Sequence, residues 1–270
     1  MPLNPTAEAL LTAVLASPRA VAAHDKSAWV GLFAADAEVN DPVGSRPHIG
    51  PAAIDRFYDT FIGPNGIAFD VARDLVAERT VVRDLHIETT MSTGARVRVP
   101  MHLRYQLAEI DGAWKIVRLA AHWEFAAMVT QLMLRTGLAG LAAAIKLGPQ
   151  LIANQGFGGM LGLLRALRGV GRGGKKAVHQ LFSAAAETDI ERVRALLADN
   201  TVLRLPADVP VSVEEFTNRA RNMHWDKLIA AGRTVTASVR LGAAQGVAFV
   251  EFAADTRRIT GVTIYLDDGN

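Results

Sequence analysis

Cysteine is absent from the 270 residues, which excludes a disulfide scaffold, a thiolate nucleophile, an iron–sulfur cluster and any cysteine-ligated zinc. The seven histidines show no HxxxH or HExxH spacing, so neither a metal nor another cofactor is expected. A basic leader is missing as well. MPLNPTAEALLTAVLASPRAVAA has an Ala-rich run before Ala-Val-Ala, yet it lacks a positive n-region and carries Glu8 inside the run, which favours a cytoplasmic protein over an exported one.

Acidic residues are absent from 125 to 186. Arg135, Lys146, Arg165, Arg168, Arg172, Lys175 and Lys176 give that stretch +7, while the whole chain is only +2. The stretch is also the most apolar and glycine-rich part of the chain, but it lacks a run long enough to cross a bilayer. Ten residues separate Arg135 from Lys146, and the eighteen between Lys146 and Arg165 include Pro149, Gln150, Asn154 and Gln155, whereas a spanning helix needs about 20 mostly apolar residues. Short helices fit better, either packed on the flanking domains or on a second subunit, or lying as a basic amphipathic pair against an anionic membrane. GVGRGGKK at its end matches GxGxxG at Gly169, Gly171 and Gly174. It follows a helical run where a phosphate loop needs a preceding strand, so a linker is the expected use. No nucleic-acid partner is expected.

Before this stretch the pattern predicts helices over 6 to 23, with Pro18 kinking or splitting them, and over KSAWVGLFA, capped by Asp25 and ending near Asp36. AEVND is then a short strand, Pro42 and Gly44 make a turn, and Gly50-Pro51 starts a helix with Ile54, Phe57, Tyr58 and Phe61 on one stripe. Strands follow near 79 to 90, 95 to 107 and 113 to 124, the last two joined at Asp111-Gly112. This is an α+β cone, with helices covering a curved antiparallel sheet. The end of the chain repeats the plan: His24 to Pro42 can be laid over Thr188 to Pro206, with Asp25 to Pro42 and Asp189 to Pro206 both 17 residues apart. A helix VEEFTNRARNM and strands near 233 to 241, 246 to 254 and 257 to 266 come next. An internal duplication is expected, with one domain over 1–126, the apolar basic helical segment over 127–175, and a degenerate second domain over 176–270.

Val39-Asn40-Asp41-Pro42-Val43-Gly44, followed by Pro47, Gly50, Ile54, Phe57 and Tyr58, resembles the ketosteroid isomerase branch of the NTF2-like, or SnoaL-like, superfamily. The likeness covers about residues 15 to 124. It implies two NTF2-like cones, a deep apolar pocket, frequent dimers, and in true isomerases a double-bond shift beside a ketone by proton abstraction and return. The acidic residue before Pro implies Asp41 as base. The family's tyrosine donor falls on Ser17 instead, and its protonated acid falls on His102 or Met101; Tyr58 matches a tyrosine near the pocket, and Trp123 of HWE a pocket-lining ring.

The residues themselves admit the chemistry. Moving a proton between carbons needs one base of modest pKa in a dry setting and donors for the enolate oxygen. Asp41, between Val39 and Val43, fits the first need, although an Asp also caps such turns. His102 shares a strand face with Arg96, Arg98 and Arg104, so a surface position is the alternative to a donor role. Arg83 lies on the apolar side with Val81, Leu85 and Ile87 and requires a carboxylate; Asp41 in that role would have a lowered pKa. The expected site is therefore Asp41, Tyr58 and His102 as catalytic groups, with Ser17, Trp29, Phe33, Phe57, Phe61, Arg83, Met101 and Trp123 binding a steroid, polyketide or other apolar molecule. In the second copy Leu205 takes the place of Asp41, so that copy is read as a packing partner, replacing the second subunit of a homodimer, or as a binding domain. Two functions stay open: an isomerase, or a related lyase, cyclase or epoxide hydrolase; and a non-catalytic carrier or scaffold whose 127–175 segment meets a membrane or protein.

Overall fold

The computed structural model describes residues 5–91, 94–136, 169–254 and 258–267. The chain divides into two compact units, one built from Leu3–Asp74 with Arg79–Leu167 and the other mainly from Arg168–Asn270.

In the first unit, helix α1 (Pro5–Ala22) buries Leu10, Val14, Ser17 and Val21, which recur at three- and four-residue spacing. The split expected at Pro18 does not occur: the helix runs through it. Proline removes one backbone donor, and the Arg19 guanidinium donates to the Leu15 and Thr12 carbonyls, four and seven residues before it. Helix α2 (Lys26–Val30) is capped by the Asp25 carboxylate, which accepts the Ala28 N–H. It is shorter than expected, because Gly31 closes it and Phe33 already pairs with Ile116 at the start of strand β1 (Phe33–Asn40). A bulge between Phe33 and Glu38 breaks the alternation there, so the spacing of Trp29, Leu32 and Phe33 imitates a helical face.

Strand β2 (His48–Ile49) leads into α3 (Pro51–Phe57), which continues as a π-helical turn over Tyr58–Ile62. Strands β3 (Gly66–Ala77), β4 (Thr80–Thr90), β5 (Arg96–Ile110) and β6 (Ala113–His122) complete a sheet in the order β2-β1-β6-β5-β4-β3. β4, β5 and β6 are antiparallel neighbours, whereas β1 runs parallel to β6. Asp111 and Gly112, both at positive φ, make the β5–β6 turn as a tight hairpin requires. The alternation of side chains puts Val81, Arg83 and Leu85 on one face with Met101, Leu103, Tyr105, Leu119 and Ala121, which their pairing brings side by side. This inner face is the one that α1 covers, since Ser17 reaches Tyr105. Helix α4 (Phe125–Thr136) follows β6, and its Gln131 amide bonds both the N–H and the C=O of Arg98, satisfying β5 beyond the last residue of β6. Residues 137–168, on which most of the expected basic helical segment and its membrane contact fall, lie outside the described residues.

The second unit follows the same path: α5 (Gly171–Ala186), α6 (Ile190–Leu196), β7 (Leu197–Arg204), α7 (Val213–Arg219), then β8 (His224–Ala231), β9 (Thr234–Leu241), β10 (Ala244–Phe252) and β11 (Ile259–Leu266). Its order, β7-β11-β10-β9-β8 with β7 parallel to β11, reproduces β1-β6-β5-β4-β3. Asp189 caps α6 as Asp25 caps α2, and the residues before them, Thr188 and His24, share a positive φ. Gly169 and Gly174, part of the apparent phosphate-loop motif, are packing glycines: a Cβ on Gly169 would stand 2.4 Å from the Gly232 carbonyl oxygen, and one on Gly174 would stand 2.4 Å from Val170 Cγ2. Among the described residues no helix is long and apolar enough to cross a membrane.

Candidate functional site

Asp41 follows the last residue of β1 and joins Pro42 through a cis peptide. The chain then turns, with Ser45 bonding the Pro42 carbonyl and Val43 N–H bonding Ala121 of β6. β1 and β6 pair Val39 with Leu119 and Asn40 with Ala120, so Asp41 stands beside the end of β6, from which Trp123 Nε1 donates to Asp41 Oδ1 at 2.6 Å. Burial raises the Asp41 carboxyl to about 6, and the Trp123 bond opposes the rise.

Arg83 does not pair with Asp41. Its Nε and Nη2 bond Asp74 on β3 at 2.7 and 3.4 Å, which leaves Asp41 without a cation to lower its pKa. Arg83 is 3% exposed, and its Nη1 is buried with no hydrogen-bond partner among the described residues. Tyr105, also buried, is a diagonal neighbour of Arg83 on the inner face, because β4 and β5 pair Val81 with Tyr105 and Arg83 with Leu103. Burial raises its phenol above the usual range; Asp41 and Asp74 add to the rise, while Arg83 and the neighbouring Ser17 side chain oppose it. Ser17 Oγ in turn accepts Trp29 Nε1 at 3.0 Å.

The apolar part of the site is an aromatic cluster. Trp29 lies 4.7 Å from Phe33, 6.1 Å from Phe57 and 5.6 Å from Tyr58, measured between ring centroids, and Phe57 lies 5.1 Å from Phe61. Met101 is buried on the inner face. The five rings form one cluster, within which the Tyr58 hydroxyl is buried with no hydrogen-bond partner among the described residues, and its charged neighbours are Asp25, Asp59 and Lys26.

His102 is neither at the surface nor beside Asp41. It is fully buried, directly opposite Asp84 on one side and His122 on the other, and so on the face away from Tyr105. Its Nε2 lies 3.5 Å from Asp84, which also faces Arg73 at 3.5 Å. Burial, ahead of the charges of Arg104 and His102, holds His122 well below the usual imidazole range. Strand parity separates this polar group from Asp41. Sequence reasoning missed Asp74, whose strand showed no alternation, and Tyr105, which lay among the apolar residues of its face. Among the described residues no group of three or more His, Asp or Glu is placed to hold a metal ion.

Residues 14–119 match the family model of the SnoaL-like domain. Among solved structures, the chain is similar to a Δ5-3-ketosteroid isomerase from Mycobacterium sp., with 29% identity over 44% of this chain and 95% of that one and a TM-score of 0.41. A Mycobacterium tuberculosis protein in complex with estradiol-17β-hemisuccinate matches with 23% identity over 43% and 95% of the two chains, TM-score 0.40. An LEH-like epoxide hydrolase from M. tuberculosis matches with 18% identity over 52% and 98%, TM-score 0.42.

Proposed function

We propose that the first unit transfers a proton on an apolar ketone, a steroid, polyketide or similar molecule, with Asp41 as the base. Asp41 Oδ2 takes a proton from the carbon beside the carbonyl, the C–H electron pair passes into an enolate, and the same carboxyl returns the proton further along, so that a double bond moves and nothing is consumed. The observation that carries this reading is the Asp41 carboxyl itself, raised to about 6 by burial and held through its other oxygen by Trp123. A base is most effective with a pKa near the working pH. At pH 7 such a group is mostly ionised, and its conjugate acid is strong enough to give the proton back.

A β,γ-unsaturated ketone assayed for double-bond migration tests the proposal. Asp41→Asn keeps the shape and an acceptor for Trp123 but removes the base, so turnover is expected to fall by about 10² to 10⁴-fold, while ligand quenching of tryptophan fluorescence persists. Equal rates in wild type and variant overturn the assignment. A second reading, a carrier that binds such molecules without turning them over, has its own support: Ser17, where the family's tyrosine donor would stand, is engaged by Trp29 and Tyr105, and His102 faces away. Saturable binding with no turnover of any ketone in the panel would favour it.

A further inference from the structure

We propose that Tyr105 and Arg83 form the donor pair that receives the ligand's oxygen as it becomes anionic, supplied by two neighbouring strands of the inner face and not by the two positions where the resemblance places donors. The inference rests on the proton-transfer reading of Asp41 and names the groups that would complete it.

Four features of the structure support it. Arg83 is held in place by Asp74 through Nε and Nη2, and its Nη1 is buried with no hydrogen-bond partner among the described residues. A buried N–H without an acceptor is costly, and such groups are kept where a ligand or ordered water completes them. Tyr105 is held beside Ser17, whose Oγ accepts the Trp29 Nε1–H at 3.0 Å. Thirdly, the register puts the pair on the same sheet face as the base, across the intervening strands: Tyr105 lies opposite Leu119, and Leu119 lies opposite Val39, two residues before Asp41. Lastly, the charges balance across the reaction. The negative charge that Asp41 loses on taking a proton reappears on the ligand oxygen, next to a guanidinium already paired with Asp74. Donors fixed before the reaction and aimed at the place where charge develops stabilise the transition state more than the neutral ketone.

The site should therefore favour an oxyanion over the corresponding neutral oxygen, and 2-naphthols of graded acidity probe this without any turnover. Bound naphthol and naphtholate differ in absorbance, so the spectrum reports which form the full-length protein holds. The wild type at pH 6 is expected to bind the more acidic naphthols as anions and more tightly as acidity rises. Arg83→Gln and Tyr105→Phe are each expected to weaken anion binding by about 10-fold or more and to flatten the dependence on acidity, and to lower kcat/KM by about 10² to 10³-fold for the charged donor. Asp41→Asn is expected to keep or strengthen naphtholate binding, because it removes a competing negative charge. Should Arg83→Gln fail to fold, Tyr105→Phe alone still decides, since it removes one hydroxyl and no charge. The two proposals fail separately: an Asp41 without catalytic effect leaves the acidity dependence standing, whereas loss of the donor pair would show as naphthol binding that ignores acidity in the wild type. That result, or variants that keep the wild-type dependence, overturns the inference.

Discussion

The two units share a frame, and the residues on its inner face differ in one direction. Ser17, Trp29 and Asp41 correspond to Leu181, Val193 and Leu205, each 164 residues further on. Arg83 is the fourth residue of β4, and Ala237 the fourth of β9. Tyr105 and Val250 oppose the second residues of those strands, and Trp123 and Leu266 stand four residues beyond their respective partners on the next strand. These six polar or hydrogen-bonding side chains of the first unit thus have aliphatic counterparts in the second, where Val178, Leu181, Phe182, Phe216 and their neighbours close into one continuous hydrophobic core. The comparison teaches that the fold does not need Asp41, Arg83 or Tyr105. Buried polar groups cost stability unless satisfied, and the second unit shows the arrangement in which stability alone decides.

Transplanting the acid breaks or confirms this contrast most severely. Leu205 is 1% exposed within that core, so Leu205→Asp must remain neutral to stay folded. Holding an Asp neutral at pH 7 means raising its pKa by about 3 units, a cost of about 4 kcal/mol. Urea denaturation at pH 7 should show that loss, with recovery toward pH 4. A variant as stable as the wild type at pH 7 would mean that the second unit also tolerates a site.

The reverse change acts on the first unit. Arg83→Ala installs the residue of the second unit but strands Asp74, and removing one partner of a buried pair costs up to about 3 kcal/mol. Arg83→Ala with Asp74→Leu should regain part of it, because no unpaired carboxylate is left. Denaturation of the two variants measures the coupling; equal losses would show that Asp74 is satisfied without Arg83.

Asp41 should show the opposite sign. Its pKa in the folded state, about 6, lies above the 3.8 of an ordinary aspartate carboxyl, so between those values the folded state holds more protons than the unfolded one. Stability is then lost as pH rises through that window. Asp41→Asn is expected to stabilise the protein by up to about 3 kcal/mol above pH 6 and by little near pH 4. Parallel melting curves for wild type and variant across pH 4 to 7 would contradict the raised pKa.

How far the sequence alone reveals this contrast depends on the residue. The Asp41-Pro42 strand end, the aromatic stripe from Phe57 to Phe61, the β5–β6 hairpin and the duplication are all visible, because each rests on local turn chemistry, short-range periodicity or a repeat spacing. The edge strands β3 and β8 are not: their side chains are half exposed and include Asp70, Arg73, Asp74, Asp226 and Lys227, so no apolar alternation marks them. That single omission propagates into the site. Without β3, Asp74 has no place and Asp41 stands as a candidate partner for Arg83, which would lower the Asp41 pKa; Asp74 takes that role instead, and burial raises Asp41. Tyr105 is concealed for another reason, since only the register of three strands reveals that it faces Arg83, Ser17 and Asp41.

The smallest expected effect isolates the one bond that ties the base to the sheet. Trp123 pulls the Asp41 pKa down against the larger upward push of burial. Replacing it by Phe removes the donor while keeping an aromatic ring next to Phe125, whose centroid lies 6.0 Å away. Leu266, its counterpart, packs against the core of the second unit and donates nothing. In Trp123→Phe the Asp41 carboxyl should therefore titrate at higher pH than in the wild type, with the acid limb of kcat/KM moving in the same direction and the plateau at alkaline pH largely retained. Carbonyl-carbon NMR of labelled aspartate reads the same titration without turnover, which separates a shifted base from a damaged site. An unchanged midpoint would mean that Trp123 holds the position of Asp41 but not its proton affinity.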